Sequence, residues 1–528
     1  MLNKDYKIDA SMFEMTQSDA TIHDQKFETK PVGYFKDAWR RFKKNKGSVV
    51  AACIILLLVL FAIIAPLASK YELSDRDKFY INKPPFWRES AEKTALWGGT
   101  QTKEVNETMY YYLRAIGIET GLDPIVEVIS ESVQKVGAKE TRYYKVKINT
   151  YYQLGVLNTI TVTSEDYAKI CEYQNATGRQ VIYPYVEDKD LAGDSALNPD
   201  TIKGLTSTPE AGGNYWYKVK NLKGLPEFDS NGNFKPAYAM QKNGTLYSEY
   251  NSIRVASDPY DASVPNSGYA YAKKNQSGYD CRINYWEYYI YKNGHEPMYL
   301  FGTNEYGQDI FNAIGMGARF SLLLAVCVAF VNMLIGTIYG SIEGYYGGAT
   351  DMILERVSDI LSGIPTMIVV TLFNVHIADE VGVVPAFIIA FVATGWIGTA
   401  SLVRKQFYRF KNREYVLAAR TLGASDARIM FRHIYPNSLG TIVTSSVLVI
   451  PGVIGSETML TYLGIVNLSS SNTTTIGTLM EQGNRCVTSA PHVLLFPALF
   501  LALLMISFNL FGNGLRDAFN PSLRGSEG

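Results

Sequence analysis

The sequence lacks the short motifs that mark the common enzyme chemistries. The phosphate-binding pattern GxxxxGK[ST] is missing, as are HExxH and GxSxG, and no cysteine and histidine are placed like a nucleophile and its base. Their absence excludes ATP hydrolysis through a Walker-type loop of this chain and gives no support to protease or esterase chemistry. We therefore expect a protein that is not an enzyme.

Cysteine and net charge are also scarce. There are five cysteines with no CxxC spacing and no histidine placed to complete a zinc site, so we expect neither a metal nor a cofactor. Cys171 and Cys281 share a polar region and would either form a disulfide, if that region faces an oxidising exterior, or remain free thiols. The 50 basic residues balance 50 acidic ones, so nothing indicates a nucleic-acid partner.

Long runs without charge are what the sequence does contain. A helix that crosses a hydrocarbon core of about 30 Å needs roughly 20 apolar residues. The run at 49–68 meets this length, and the 47 residues before the helix it predicts (48–68) are too many for the start of a signal peptide, which favours a retained span. Five more candidates follow, at 321–340, 360–377, 381–403, 436–456 with an extension to 463, and 493–511. The third is the weakest, because Pro365, Asn374 and His376 interrupt it.

Basic residues beside the spans predict the orientation. Six of them precede the first span, and eight lie between the fourth and fifth spans against only Glu414 and Asp426. Because cytoplasmic loops are enriched in Lys and Arg, both segments and both termini are expected to lie in the cytoplasm. Residues 1–47 are then a cytoplasmic N-terminal segment, 514–528 a cytoplasmic tail, and 69–300 a region outside the cell.

The region 69–300 has the length of a domain. Alternating residues at 143–152 and 160–163 predict strands, Thr163 or Ser164 could cap a helix through Tyr173, and 181–186 predicts a short strand. We expect an inserted α+β extracytoplasmic domain. It holds 27 of the 37 tyrosines, which favour packing inside the domain over a binding face for a partner or sugar.

The strongest local pattern is the segment 414–436, EYVLAARTLGASDARIMFRHIYP. A helix there would place an apolar stripe on one face, formed by Tyr415, Ala418, Ala419 and Leu422. Gly423 would end that helix, Ser425 could cap the next one, and Pro436 would mark entry into the membrane. By periodicity alone, the stripe fits a groove on a partner and the chain's own spans equally well.

Charged residues in or near the spans suggest two further sites. Glu457, in the fifth span, is expected to form a hydrogen bond to a neighbouring helix or subunit, in preference to a direct role in the pathway. Asp351, Glu355, Arg356 and Asp359 would add contacts at the second cytoplasmic loop or, as we prefer, pair with one another along a solvated helix.

The 414–436 segment resembles the EAA loop of ABC importer permeases. The pattern of that loop is Glu-Ala-Ala, three residues, Gly, nine residues, Ile-x-Leu-Pro, and Ala418, Ala419, Gly423 and Pro436 match it in register. The chain departs from it in three places, which are Leu417 at the Glu position, His433 at the Ile position and Tyr435 at the Leu position. The resemblance implies that a set of residues couples the chain to an ATPase, namely Tyr415, Leu417, Ala418, Ala419, Leu422, Gly423 and Pro436.

More of the chain resembles the oligopeptide/dipeptide branch of these permeases, which also includes nickel importers. The matching segments are WRRFKKNK at 39–46, FGTNEYGQD at 301–309 (similar to LGTDxxGRD), GARFSL at 317–322, GYYGG at 344–348 with Asp351, and YLG at 462–464. Together they span about residues 31–68 and 301–525 and indicate the second, C-type permease subunit with a large exterior insert.

This resemblance implies an all-α polytopic membrane protein with six transmembrane helices in the type I ABC importer fold, its main domain at 317–513. The expected function is to form part of a path for oligopeptides or dipeptides in a bacterial plasma membrane. The implied partners are a second permease subunit, two ATP-binding-cassette ATPases, an extracytoplasmic binding protein and the lipid bilayer. The alternatives are a secondary carrier and a membrane-anchored exterior binding or sensor protein.

Overall fold

A computed structural model of the chain describes residues 34–87, 98–106, 120–136, 139–153, 158–183, 276–470 and 473–519, with short pieces at 109–110, 113, 214–216, 239–240, 246–247, 254–256 and 272–274. Structural statements below concern these residues. The first 33 residues of the predicted N-terminal segment, residues 184–186 of the predicted strand at 181–186, and positions 520–528 of the predicted tail lie outside them.

Long apolar helices dominate the described chain. Five of them are long and apolar enough to cross a membrane, and a bent pair of helices would make a sixth span. In chain order, the first span is Lys46–Ala68, the second Ile310–Tyr346, the third the pair Gly348–Ser362 and Thr366–His376, the fourth Val383–Phe410, the fifth Asp426–Tyr462 and the sixth His492–Phe519. Shorter helices are Tyr34–Lys44, Thr150–Gln153, Ser164–Thr177, Tyr285–Asn293, Ala378–Val381, Glu414–Thr421 and Ile476–Arg485.

The third span differs from the single helix that the sequence predicts at 360–377. The chain bends by 74° between Ser362 and Thr366. Pro365 causes the break, because its ring disfavours helical geometry at Ile364 and it has no N–H to donate. The helix after the break has 11 residues, or about 16 Å, so it crosses a bilayer only together with the helix before it.

The sixth span is longer than the sequence predicts. The predicted span ends at residue 511, but the helix continues through Gly512-Asn513-Gly514 to Phe519. Gly514 lies where the sixth span meets the start of the first, and a Cβ added to it would be 1.9 Å from Ser48 Oγ. The glycine therefore allows the two helices to approach closely.

Between the first and second spans the structure describes both strands and short helices, and we call this inserted region the α+β module (residues 69–300). β1 (Thr100–Asn106), β2 (Ile125–Val136) and β3 (Lys139–Asn149) make an antiparallel sheet in the order β1-β3-β2. β4 (Asn158–Val162) and β5 (Ile182–Tyr183) belong to a second sheet, in the order β10-β11-β4 with β5 also on β11, where β10 is Ala272–Lys274 and β11 is Tyr279–Ile283. The remaining strands pair as β6 (Asn214–Trp216) with β9 (Arg254–Ala256), and β7 (Ala239–Met240) with β8 (Leu246–Tyr247).

The described tyrosines of the module are largely packing residues. Tyr80 and Tyr151 are fully buried in an aromatic cluster with Tyr289 and Tyr299, and the Tyr151 hydroxyl donates to Pro84 O at 3.0 Å. The packing interpretation is confirmed for these residues. The predicted helix cap is also present, because the Thr163 hydroxyl accepts from Asp166 N at the start of Ser164–Thr177.

Cys171 and Cys281 are both buried in one apolar cluster of the module. They are free thiols in this structure, so the disulfide alternative is not realised here. Burial raises the pKa of the Cys281 thiol to about 12, which keeps it protonated at neutral pH.

Candidate functional site

The Glu414–Thr421 helix joins the fourth and fifth spans at the end of the helical bundle away from the α+β module. Val416 is buried in a cluster of the chain's own residues that includes Phe407 and Ile434, and Ala419 is also buried. Tyr415, Leu417, Ala418 and Leu422 are exposed. Leu422 stands out among them, with 88% of its surface exposed.

The helix therefore presents an exposed apolar face in which Leu417 takes the place of Ala419 in the predicted stripe. Ala419 was expected on the stripe but is only 9% exposed. Periodicity groups Ala419 with Tyr415 and Leu422, but it cannot tell which edge of a stripe the chain's own core covers. We call Tyr415, Leu417, Ala418 and Leu422 the exposed face.

Gly423 forms the turn that follows the helix. Its φ is +81°, and Gly423 N and Ala424 N donate to Arg420 O and Ala419 O, both at 3.0 Å. These two bonds close the helix end as a Schellman motif does. Ser425 follows in extended geometry at the start of the next helical segment, but its side chain makes no capping hydrogen bond.

Substitutions at Gly423 should separate backbone strain from side-chain size. No atom lies within 4 Å of a Cβ added there, so Gly423→Ala should cost only the strain of a positive φ, about 1–2 kcal/mol. Gly423→Asn is larger but tolerates this conformation better, and we expect it to be the more stable variant in thermal unfolding of the purified protein. A Gly423→Ala variant at least as stable as Gly423→Asn would contradict the strain argument.

A hydrogen-bonded contact connects the turn to the second span. The Tyr345 hydroxyl donates to Asp426 Oδ1 at 2.5 Å, and Arg420 donates to the same hydroxyl at 3.4 Å. The fifth span begins at Asp426 and continues through a π-helical segment, Ile429–Ile434, into Tyr435–Tyr462. Pro436 lies in the first turn of that last helix and is exposed.

Tyr415 is held in place from the fifth span. Asn437 Nδ2 donates to the Tyr415 hydroxyl at 3.3 Å. Partial burial raises the pKa of Tyr415 above its ordinary value, although Asn437 and Arg413 oppose the shift. Tyr415 is therefore uncharged at physiological pH.

Beside this loop, Arg404 joins the third and fourth spans. Its guanidinium donates to Asp351 from Nε at 2.6 Å and Nη2 at 2.8 Å, and to Glu355 from Nη1 at 2.6 Å and Nη2 at 2.9 Å. Tyr408 also donates to Asp351. The preferred expectation, pairing along one helix, is therefore wrong for Asp351 and Glu355. The expectation holds only for Arg356 and Asp359, whose Nη1 and Oδ2 atoms lie 3.6 Å apart.

Glu457 lies at the other end of the fifth span and is fully buried. Ser321 Oγ of the second span donates to Glu457 Oε2 at 2.9 Å, and Thr461 Oγ1 donates to Oε1 at 3.3 Å. The carboxylate therefore connects two spans. Among the described residues, no three His, Cys, Asp or Glu side chains are grouped as metal ligands would be.

Comparison with known proteins matches two families. Residues 332–525 match the model of the binding-protein-dependent transport system inner membrane component. Residues 33–85 match the N-terminal TM domain of oligopeptide transport permease C. Residues 86–331, which include most of the α+β module, lie outside both matches.

Relatives are similar over the same parts of the chain. The oligopeptide transport system permease protein OppC of Bacillus subtilis (strain 168) is 42% identical over 227 residues, which cover 42% of this chain and 72% of that protein. The dipeptide transport system permease protein DppC of the same organism is 39% identical over 225 residues, covering 42% and 69%. A solved structure of the inward-facing MetNI methionine ABC transporter aligns with a TM-score of 0.32 at 16% identity, over 38% of this chain and 96% of its own.

Proposed function

The chain belongs to the binding-protein-dependent transport system permeases, in the group that contains the oligopeptide and dipeptide C-type subunits, and from this membership we propose that it forms part of an ATP-driven import path for oligopeptides or dipeptides. The similarity to OppC and DppC is the observation that carries the proposal. As in that family, the chain is a multi-pass membrane component.

The partners follow from the same membership. A second permease subunit would complete the path, two ATP-binding-cassette ATPases would hydrolyse ATP, and an extracytoplasmic binding protein would deliver the peptide. Exposed apolar side chains on the first span, among them Leu56, Leu57 and Leu67, support contact with lipid or with the second permease. The distribution of Lys and Arg supports a cytoplasmic position for both termini and an exterior position for the α+β module.

The ATPase would act on the permease at the exposed face. Tyr415, Leu417, Ala418 and Leu422 offer a helix that fits an apolar groove on an ATPase. A push on this helix would reach the second span through the bond between Tyr345 and Asp426, and the fifth span through its unbroken connection to Asp426. Because helices are stiff, the two spans would tilt together and expose the path to alternate sides.

Glu457 has a positioning role in this scheme. Its hydrogen bond to Ser321 joins the same two spans at the far end of the bundle. We propose that this bond fixes the relative position of the second and fifth spans as they tilt. The buried carboxylate is then a structural connection between helices, and it does not contact the peptide.

Uptake assays separate this proposal from its rivals. The chain is co-expressed with a candidate second permease, two ATPase subunits and a binding protein, and the assembly is reconstituted in vesicles. We expect radiolabelled peptide to enter only with ATP and with both ATPases present. Uptake that persists without the ATPases would identify a secondary carrier instead. A sensor or binding protein would retain its exterior activity after the last five spans are removed.

A further inference from the structure

A cavity of about 570 Å³ lies where the second, third, fourth and fifth spans meet. Its volume falls in the range of ligand pockets, roughly 300–1,000 Å³. The break of the third span contributes Ser362 and Thr366, and the fourth and fifth spans contribute Thr394 and Ser456. The bend at Pro365 therefore brings polar residues to the wall of an open cavity between the spans.

The lining of this cavity carries no charge. Its polar groups are hydroxyls and one amide, and the remaining wall is glycine or apolar, with Phe391, Val449 and Val453. A second cavity, of about 480 Å³ near the α+β module, is different, because Arg76, Glu481 and Arg485 line it. The cavity between the spans is suited to neutral polar groups, whereas the second one is suited to ions.

Asn332 supplies the amide. The residue lies in the second span and is 2% exposed, and its Oδ1 has no hydrogen-bond partner among the described residues. Gly395 makes room for the amide, since a Cβ added to Gly395 would be 2.4 Å from Asn332 Nδ2. A buried acceptor without a donor is costly, and Asn332 lines the cavity, so a donor that reached this amide from the cavity would be favoured.

We propose that this cavity contacts the backbone of the passing peptide, and that Asn332 Oδ1 accepts a hydrogen bond from a peptide N–H. The inference rests on the proposed function. A backbone N–H is common to nearly all peptides, so one amide acceptor recognises the class without selecting a sequence. The apolar wall admits varied side chains, and a single neutral hydrogen bond is weak enough to release the peptide.

The test compares two peptides across matched variants. The probes are trialanine and trialanine methylated on both peptide nitrogens, which removes the N–H donors. In reconstituted vesicles, Asn332→Ala should lower kcat/KM for trialanine by about three- to tenfold, the value of one hydrogen bond. It should leave kcat/KM for the methylated peptide unchanged. Asn332→Leu fills the same space without an acceptor and should behave alike, whereas Asn332→Gln should retain part of the preference.

Thr337→Ala is the matched control. Thr337 lies on the same helix, is buried, and also has a hydroxyl without a partner among the described residues, but it does not line the cavity. The Thr337→Ala variant should keep the wild-type preference for unmethylated trialanine. An unchanged preference in Asn332→Ala and Asn332→Leu would overturn the inference and leave the proposed function standing. Absence of ATP-dependent trialanine uptake in the wild type would overturn both.

Discussion

Leu422→Asp is expected to abolish most ATP-driven uptake while the protein remains folded. Leu422 is 88% exposed and closes no part of the chain's own core, so the substitution should change stability little. In a partner groove, however, a leucine side chain contributes about 1.5–3 kcal/mol by burial. Its loss, with an added charge that must be desolvated, should weaken docking at least about tenfold.

The measurement is peptide uptake in vesicles together with co-purification of the ATPases. Asn412→Asp is the control, because it introduces the same charge at an exposed position of the same loop outside the exposed face. We expect Asn412→Asp to retain both ATPase binding and uptake. If Leu422→Asp transports at the wild-type rate, the exposed face does not dock an ATPase, and the proposed tilting of the second and fifth spans by a push on this helix fails.

Local patterns made much of the fold predictable. The six apolar segments correspond to five long helices and a bent helical pair. They could be predicted because the length of an apolar run is read from neighbouring residues alone. The turn at Gly423 was predictable for the same reason, since a left-handed residue after a helix favours glycine whatever the tertiary context. The family resemblance was carried by such local motifs and is supported by relatives over the same regions.

Tertiary contacts were not predictable from those patterns. Ala419 is buried within the chain although the stripe was equally compatible with a partner groove, because helical periodicity does not specify what covers a face. The helix continues through Gly512-Asn513-Gly514, where Gly514 lies close to the first span, and such a tertiary contact leaves no local signal in the sequence. Asn332 was missed because one amide in an apolar helix has no distinctive spacing. Its interruption of a charge-free span was the signal that could have identified it.

Arg404→Leu is the second substitution for which we expect a large effect. Arg404 makes two hydrogen bonds to each of two carboxylates that precede it by 53 and 49 residues. Removing the guanidinium leaves Asp351 with only the Tyr408 donor among the bonds described above, and leaves Glu355 partly exposed to water. Because the ion pair between Arg404 and Glu355 is partly solvated, we expect the free energy of unfolding to fall by about 2 kcal/mol. This is less than the loss expected when a fully buried network is broken.

Thermal unfolding of the purified complex measures this loss. Arg404→Lys keeps the charge but cannot reach both carboxylates with a planar fork, so its stability should lie between wild type and Arg404→Leu. Arg409→Leu is the control, because Arg409 is an exposed arginine of the same helix that lies over the Phe410 ring. Equal stability of Arg404→Leu and Arg409→Leu would mean that the bonds to Asp351 and Glu355 contribute nothing. Contacts other than the Arg404 hydrogen bonds would then have to hold the third span against the fourth.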